Sequence, residues 1–485
     1  MLFNSFTFLI FFPVVVAVYF ALPHRFRWAW LLAASCYFYM AFIPIYILIL
    51  FFTIAIDYVA GIVIENAEGR KRKLFLAASI VANVGVLAVF KYFNFLSANA
   101  NAIAEVFHWP YELPILGIIL PIGLSFHTFQ AMSYTVEVYR GRQPAERHLG
   151  IYALYVMFFP QLVAGPIERP QNLLHQFRER HSFEYERVTD GLRQMAWGLF
   201  MKVVIADRLA RYVNVVYNEP TNFHGLTLVV GTLFFAFQIY CDFAGYSHIA
   251  IGSARVMGFR LMRNFDRPYL SRSISEFWSR WHISLSTWFR DYVYIPLGGN
   301  RVSKPRWYLN LFITFLLSGF WHGANWTFVV WGGLNGLYLI ASLVTKDVRD
   351  AAARAVGLAQ RPRARAAWGI FVTFVLTCIA WVFFRAGSMT DAIHVLRGAI
   401  AMPTLHQVVP DILRAEGISK FEVGYCFLLI AALMLVERTS LRFDLVRQFR
   451  SQPVWVRWPA YYAMCMAIWF LGISTEAKAF IYFQF

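Results

Sequence analysis

Two histidines carry the clearest chemical possibilities in the chain. His322 lies in SGFWHGANWTFVVWGGLNG (318–336), behind a short apolar run, among Gly319, Gly323, Gly332 and Gly333, beside Trp321 and with Asn325 three residues further on. His282 lies in NFDRPYLSRSISEFWSRWHISLSTWFRDYVYIPLGGNR (264–301). A histidine near its ordinary pKa takes a proton from a hydroxyl and returns it, worth about 10²–10⁴ in rate. Small residues beside it permit close approach by another backbone or by a substrate. Read as a helix from about Ser275, the second tract gathers Trp278, Trp281, His282, Leu285 and Trp288 on one aromatic face. Arg280 and Arg290 then point to lipid headgroups, to phosphates or to Asp291; an interfacial amphipathic helix with an aromatic belt accounts for the same pattern equally well. No GxSxG, HExxH or P-loop pattern occurs, so serine hydrolase, metalloprotease and P-loop ATPase readings have no support. Two histidines at this spacing do not by themselves specify a reaction.

The elements that must hold these residues belong to a membrane protein. Of 485 residues, 59% are hydrophobic and 15% charged, and exchanging the 25 Tyr for the 29 Gly leaves the apolar share at roughly 60%. Soluble domains run near 45–50% on that count with about 25% charged. Candidate membrane helices of about 20 residues lie near 6–22, 29–42, 43–64, 74–95, 114–137, 194–216, 226–254, 308–321, 326–345, 367–386, 424–437 and 458–474. The stretches 29–42, 308–321 and 424–437 are short, and 151–165 and 281–297 are interrupted by Pro, Gly, His or Arg. These five read as re-entrant, interfacial or buried short helices. The apolar N-terminus has no basic residues before it and no small-residue cleavage site after it, so it reads as a first membrane helix rather than a removable signal.

The net charge of +17 would suggest nucleic acid in a soluble chain. Instead, 35 of the 44 Lys and Arg fall in the connections 23–28, 65–73, 138–193, 255–307, 346–366 and 438–457. These share one side if the segments alternate, so the charge orients the chain with that side cytoplasmic, about eleven spans and both termini outside; no nucleic-acid partner is implied. The tract 346–366 reads as a basic cytoplasmic loop. The outward connection 387–423 reads as a solvated loop or a docking surface. Five scattered cysteines, Cys36, Cys241, Cys378, Cys426 and Cys465, indicate neither disulfides nor a metal site. Ionisable residues expected at membrane depth are Asp57, Lys91, His127, Glu137, Lys202, Asp207, Asp242, His248, His282, Asp291 and His322. Hydrogen bonding between helices is the ordinary explanation for each taken alone.

Longer motifs carry a family likeness: MLFNSFTFLIFFP at the start, FPQLVAGPIERP (159–170), QIYCDFAGYSHIAIG (238–252), EFWSRWHISLSTWFRDYVYIPLGG (276–299), SGFWHGANWTFVVWGGLNG (318–336) and the closing FIYFQF. Together they span nearly the whole chain, which resembles the membrane-bound O-acyltransferase (MBOAT) family in its bacterial, polysaccharide-acetylating branch. The resemblance implies a single all-α polytopic membrane domain over 1–485, with helices around a central tunnel. It also implies His322 as the main catalytic residue, a general base on an acceptor hydroxyl, and His282 as a secondary catalytic or positioning group. Trp281, Trp321, Asn325, Asp291, Arg280 and Arg290 become candidate substrate or tunnel residues, with Arg272 a further test position; no metal and no bound cofactor are expected.

The activity so implied is transfer of an acetyl group from a cytoplasmic donor, acetyl-CoA or another activated acetyl thioester, across the inner membrane. A periplasmic O-acetyltransferase partner would finish on an exopolysaccharide, alginate before others. Acetylation of cellulose or peptidoglycan, or D-alanylation of teichoic acid, stays open, as do a non-catalytic acyl transporter and an export scaffold. Basic loops would suit coenzyme A phosphates or an acidic carrier, although orientation alone accounts for them.

Overall fold

The computed structural model describes residues 1–400, 419–473 and 480, and among them every regular element is helical. Part of the outward connection 387–423 and most of the closing FIYFQF lie outside the described residues. Five helical stretches are long and apolar enough to cross a membrane: Pro44–Asn66, Gly69–Val106, Leu226–Met257, Trp326–Val344 and Pro362–Arg385. The remaining expected spans are helices that are shorter, less apolar or interrupted. The chain is an all-α, multi-pass membrane protein, and it divides into two compact units.

The first unit holds Met1–Met195 and Tyr246–Arg263. It contains α1 (Phe6–Ala21), α2 (His24–Met40), α3 (Ile47–Asn66), α4 (Gly69–Leu87), α5 (Phe93–Val106), α6 (Leu124–Tyr139), α7 (Leu149–Met157), α8 (Phe159–Leu162), α9 (Pro170–Leu173) and most of α10 (Tyr185–Leu199). Two expectations shift here. The span expected at 114–137 is helical only from Leu124, because Pro114 and Pro121 lack a backbone donor and Gly123 takes φ +79. The preceding extended stretch has its backbone satisfied by α5: Asn94 brackets Leu116, accepting and donating at 2.8 Å, and Asn101 brackets Leu113 at 2.7 and 3.0 Å. Conversely, the helix expected to end at 95 continues to Val106 through a π turn at Ala88–Tyr92 that holds Lys91.

Buried polar groups in this unit pair across helices. Asp57 on α3 is wholly buried and accepts from Ser79 Oγ (2.6 Å) and Asn83 Nδ2 (2.9 Å) of α4, and Ser79 also reaches Thr135 of α6 (3.0 Å). His127 bonds Thr53 at 2.8 Å, Gln194 donates to His248 Nδ1 at 3.3 Å, and Glu137 accepts from Arg140 (3.1 Å) and Gln171 (2.8 Å).

The second unit holds Ala196–Gly245 and the described residues from Asn264 onward. Its elements include α11 (Asp207–Asn218), the Leu226–Gly245 part of α12 (Leu226–Met257), α13 (Ile274–Arg280), α14 (Ile283–Phe289), α15 (Lys304–His322), α16 (Trp326–Val344), α17 (Lys346–Ala355), α18 (Pro362–Arg385), α19 (Met389–Ile400) and the helix Lys420–Thr439. The tract 346–366 is therefore helical over most of its length rather than a loop. Its alanine-rich first half favours a helix, and Asp350 is held by Lys346 (3.1 Å) and Arg365 (2.5 Å). The stretches expected at 308–321 and 424–437 lengthen to helices of 19 and 20 residues.

Backbone contact joins α15 and α16. A Cβ on Gly319 would lie 2.3 Å from the Phe328 carbonyl oxygen, and one on Gly332 would lie 2.4 Å from that of Phe315. Gly332 and Gly336 form the G-x-x-x-G spacing by which membrane helices approach without side chains between them. The glycines around His322 thus seat one helix on another. Gly332→Val is expected to destabilise the protein by about 1–3 kcal/mol through overpacking, read as a lower thermal unfolding midpoint in detergent. Gly85→Ala, where an added Cβ meets nothing within 4 Å, should leave it in place. An unmoved midpoint for Gly332→Val would contradict this packing.

Candidate active site

Both histidines lie in the second unit, held in different ways. His322 is the last residue of α15, and its Nδ1 lies 2.6 Å from the Ser318 carbonyl oxygen one turn back. A carbonyl only accepts, so Nδ1 of the neutral ring carries the hydrogen and the basic lone pair belongs to Nε2. Three aromatic rings stand around it: Trp331 at 4.8 Å, Trp321 at 4.9 Å and Phe384 at 5.5 Å, all steeply inclined to the imidazole. The ring is 4% exposed.

His282 does not sit on a continuous helix, contrary to the pattern expected from Ser275. The helix stops at Arg280, Trp281 is extended, His282 takes φ +44, and a new helix starts at Ile283. A non-glycine residue in the left-handed region costs about 1–3 kcal/mol and persists where its surroundings over-determine it. Here the determinant is Asn264. Its backbone carbonyl accepts from Ile283 N–H (2.9 Å), and its Oδ1 accepts from Ser284 Oγ–H (2.9 Å), Ser284 N–H (3.3 Å) and His282 Nδ1 (3.1 Å). Phe243 meets the His282 ring edge-on at 4.5 Å.

Trp278 and Trp281 are both buried, although not along one helical stripe. Trp278 packs on Trp331 at 5.7 Å and donates to Asn335 Oδ1 at 3.3 Å. Trp281 packs on Trp381 at 5.0 Å and on Phe265 at 5.1 Å, while Trp381 stacks on Trp331 at 5.9 Å. An unbroken series of rings therefore runs from His322 through Trp331, Trp381, Trp281 and Phe265 to His282.

Other candidates fall elsewhere. Asn325 is the N-cap of α16, accepting from Thr327 N–H (3.0 Å) and donating to the Gly387 carbonyl (3.2 Å). Arg280 pairs with Glu276 at 2.6 Å, Asp291 with Arg290 at 2.8 Å, and the Arg272 backbone N–H with Glu276 at 2.7 Å. Arg290 does line a cavity of about 500 Å³, together with Trp278, Ser279, Trp307, Phe315 and Ser318. Ser318 and Trp278 are shared: one holds His322 by its carbonyl, the other touches Trp331. Sequence reading missed Asn264, Ser318, Trp331, Trp381 and Phe384. Asn264 opened a quoted tract, but nothing in its spacing announced four hydrogen bonds to a turn eighteen residues on. Among the described residues no group of three His, Cys, Asp or Glu could hold a metal ion.

Three of the ionisable residues expected at membrane depth make a separate cluster. Lys202 Nζ lies 2.9 Å from Asp207 Oδ1 and 2.7 Å from Asp242 Oδ1, all nearly inaccessible, and Asp242 precedes the Phe243 that covers His282. A Cβ on Gly245 would lie 2.7 Å from the Gly198 carbonyl oxygen, so the backbones must be close for this pairing. Lys202→Met leaves two carboxylates buried without their cation and is expected to cost about 3–5 kcal/mol. The check is the yield of folded protein and its unfolding midpoint in detergent; wild-type values for both would refute the cluster's weight.

Residues 109–387, which include both histidines, match the model of MBOAT, the membrane-bound O-acyltransferase family. The chain is 39% identical over 466 residues to a probable alginate O-acetylase, AlgI, of Pseudomonas aeruginosa, covering 95% of this chain and 84% of that one. It is 35% identical over 404 residues to a peptidoglycan O-acetyltransferase of Helicobacter pylori, covering 77% and 73% respectively. A teichoic acid D-alanyltransferase of Streptococcus thermophilus is 30% identical over 295 residues, covering 56% of this chain and 69% of that one. The chain therefore belongs to the membrane-bound O-acyltransferase family and is a multi-pass membrane O-acyltransferase.

Proposed function

We propose that this O-acyltransferase takes an acetyl group from a cytoplasmic thioester, acetyl-CoA or an equivalent donor, and passes it across the inner membrane for O-acetylation of an exopolysaccharide. Alginate is the proposed polymer, and a periplasmic O-acetyltransferase the proposed finishing partner. The observation that carries this reading is the setting of His322: Nδ1–H is tied to the Ser318 carbonyl at 2.6 Å inside an aromatic enclosure. Nε2 is then the nitrogen that removes the proton of an acceptor hydroxyl as its oxygen bonds to the acetyl carbonyl carbon. Collapse of the tetrahedral species breaks the C–S bond, and the departing thiolate takes the proton from the imidazolium. His282 serves as the second polar group beside the reacting atoms.

The cavity of about 500 Å³ next to Ser318 and Trp278 is of ligand size and is proposed as the donor's approach, with Arg290 at its wall for an anionic group. The enclosing rings keep water from the thioester, which would otherwise hydrolyse. The 35 basic residues assigned to one side by the alternation of segments support a cytoplasmic face there, with both termini outside. Alginate is favoured over other acceptors because the likeness to the alginate O-acetylase extends over 95% of the chain. Peptidoglycan acetylation is the second reading, supported by the 35% identity to the Helicobacter pylori enzyme.

The test is transfer in reconstituted vesicles, with labelled acetyl-CoA on one face and purified polymer, alginate or peptidoglycan, on the other, with and without a periplasmic transferase. Wild type should label the polymer, and His322→Ala should lose at least about 100-fold in rate at unchanged insertion and unfolding midpoint. Undiminished transfer in His322→Ala would overturn the catalytic assignment and favour a carrier or scaffold. Labelling of peptidoglycan alone would move the acceptor to the second reading.

A further inference from the structure

We infer that Asn264 is a positioning residue that fixes which nitrogen of His282 faces the chemistry. The inference rests on the proposed role of the two histidines and deepens it. Asn264 belongs to the connection after α12, eighteen residues before the ring it bonds, and both its main-chain and side-chain oxygens accept from this one turn. Its main-chain carbonyl takes Ile283 N–H, and its Oδ1 takes Ser284 N–H, Ser284 Oγ–H and His282 Nδ1–H. The Ser284 N–H contact identifies the side-chain atom as the amide oxygen, because a backbone N–H can only donate. Facing an acceptor, Nδ1 of His282 must carry the hydrogen, and Nε2 carries the lone pair.

Ser318 imposes the same tautomer on His322. The two histidines are therefore built alike: each has Nδ1–H anchored on an amide oxygen, one from the main chain and one from a side chain. Each presents Nε2 as an acceptor. Both are buried and joined by rings, and the left-handed backbone at His282 aims its ring independently of either flanking helix. Two acceptor nitrogens in one water-poor core suit a substrate that brings hydrogens to both. A hydroxyl-bearing acceptor does so, and an acyl thioester does not. In this arrangement His282 receives a hydrogen bond from the acceptor molecule, and Asn264 makes that the only tautomer available. Removing the Asn264 oxygen lets the ring turn or exchange its proton between nitrogens, and the acceptor loses its place while the thioester does not.

The experiment compares wild type, Asn264→Ala and Asn264→Asp as full-length chains in detergent or vesicles. Nitrogen-15 NMR of histidine-labelled protein should give one His282 tautomer, Nδ1–H, in wild type and a mixture in Asn264→Ala. The rate kcat should fall about 10–100-fold in Asn264→Ala, the range seen when a metal-ligating histidine loses its orienting partner. The KM for acetyl-CoA should stay near wild type while that for the hydroxyl acceptor rises. Asn264→Asp keeps an acceptor oxygen and should restore the single tautomer and most of kcat. It also places a negative charge on Nδ1–H, which favours the imidazolium and raises the pKa of His282. His282 must be neutral to accept, and the titratable groups on the elements around it include His322 and, next to the covering Phe243, Asp242 paired with Lys202. Activity in Asn264→Asp should therefore be lost at a higher pH than in wild type as the solution is acidified.

A purely structural Asn264 would lower yield and unfolding midpoint but leave kcat per folded molecule and the tautomer unchanged, and that result overturns the inference. If Asn264→Ala does not fold, the Asn264→Asp pH profile decides alone: an unshifted acid limb overturns it. Should His322→Ala abolish transfer while Asn264→Ala leaves kcat intact, only the positioning role falls. Full activity in both variants would instead remove the underlying catalytic reading.

Discussion

Every polar group placed at membrane depth must find its partner within the protein, because hydrocarbon offers none. That constraint sorts the ionisable residues of this chain. Asp57 is a carboxylate ringed by Ser79 and Asn83, and Lys202 is a cation between Asp207 and Asp242. Both are solved locally, and both tie one helix to another. His127 and Glu137 are solved the same way, through Thr53 and through Arg140 with Gln171. His282 and His322 differ in kind. In each, Nδ1 is anchored to an oxygen and aromatic rings pack against the imidazole. An ion pair holds helices together whatever passes by. A neutral imidazole among aromatic rings is the setting that the proposed proton transfer uses.

Much of the fold was legible because helices announce themselves by apolar runs of sufficient length. The hairpin of α15 and α16 was visible as two such runs, and its glycines were visible too, as a place of close approach by either a backbone or a substrate. The reason is geometric: a glycine in a sequence says that something approaches closely, while only coordinates say what. The stretch 114–123 was misread for a related reason. Its composition is apolar enough for a span, and its two prolines weigh little in a sum over residues, yet each removes a donor the helix needs. The π turns at 88–92 and 200–206 were likewise silent, since a one-residue widening of a helix has no compositional mark.

The candidate histidines were legible in the sequence, and the residues that hold them were not. Nothing between Ser279 and Ile283 breaks a helix by propensity: there is no proline or glycine in SRWHI. The break is imposed by Asn264, a residue distant in sequence, whose oxygen offers Ser284 and His282 a better partner than a continuous helix would. Periodicity therefore placed Trp278, Trp281 and His282 on one face, while the structure sends the two tryptophans to different partners, Trp331 and Trp381. Both arrive at the same aromatic series. The family motif drew attention to these residues, and local pattern misjudged the backbone that carries them.

The placing of His322 at the end of α15 also bears on the proposed transfer. The last turn of a helix exposes carbonyl oxygens and the negative end of its dipole, which favour a positive charge there by about 0.3–1 kcal/mol at exposed sites and more where partly buried. In a general-base step the imidazole becomes positive exactly while the hydroxyl oxygen attacks, so this field helps the transition state more than the resting enzyme. The Ser318 carbonyl adds to it through the hydrogen bond on Nδ1, which strengthens as the ring acquires charge. The close seat of α15 on α16 then has a chemical consequence. By fixing where α15 ends, the contact of Gly319 with Gly332 fixes where that charge would form, 4.8 Å from the Trp331 ring that bounds it. Packing and the proposed catalysis meet in one turn of helix, and a substitution that loosens the hairpin would move the proposed base away from its own stabilising field.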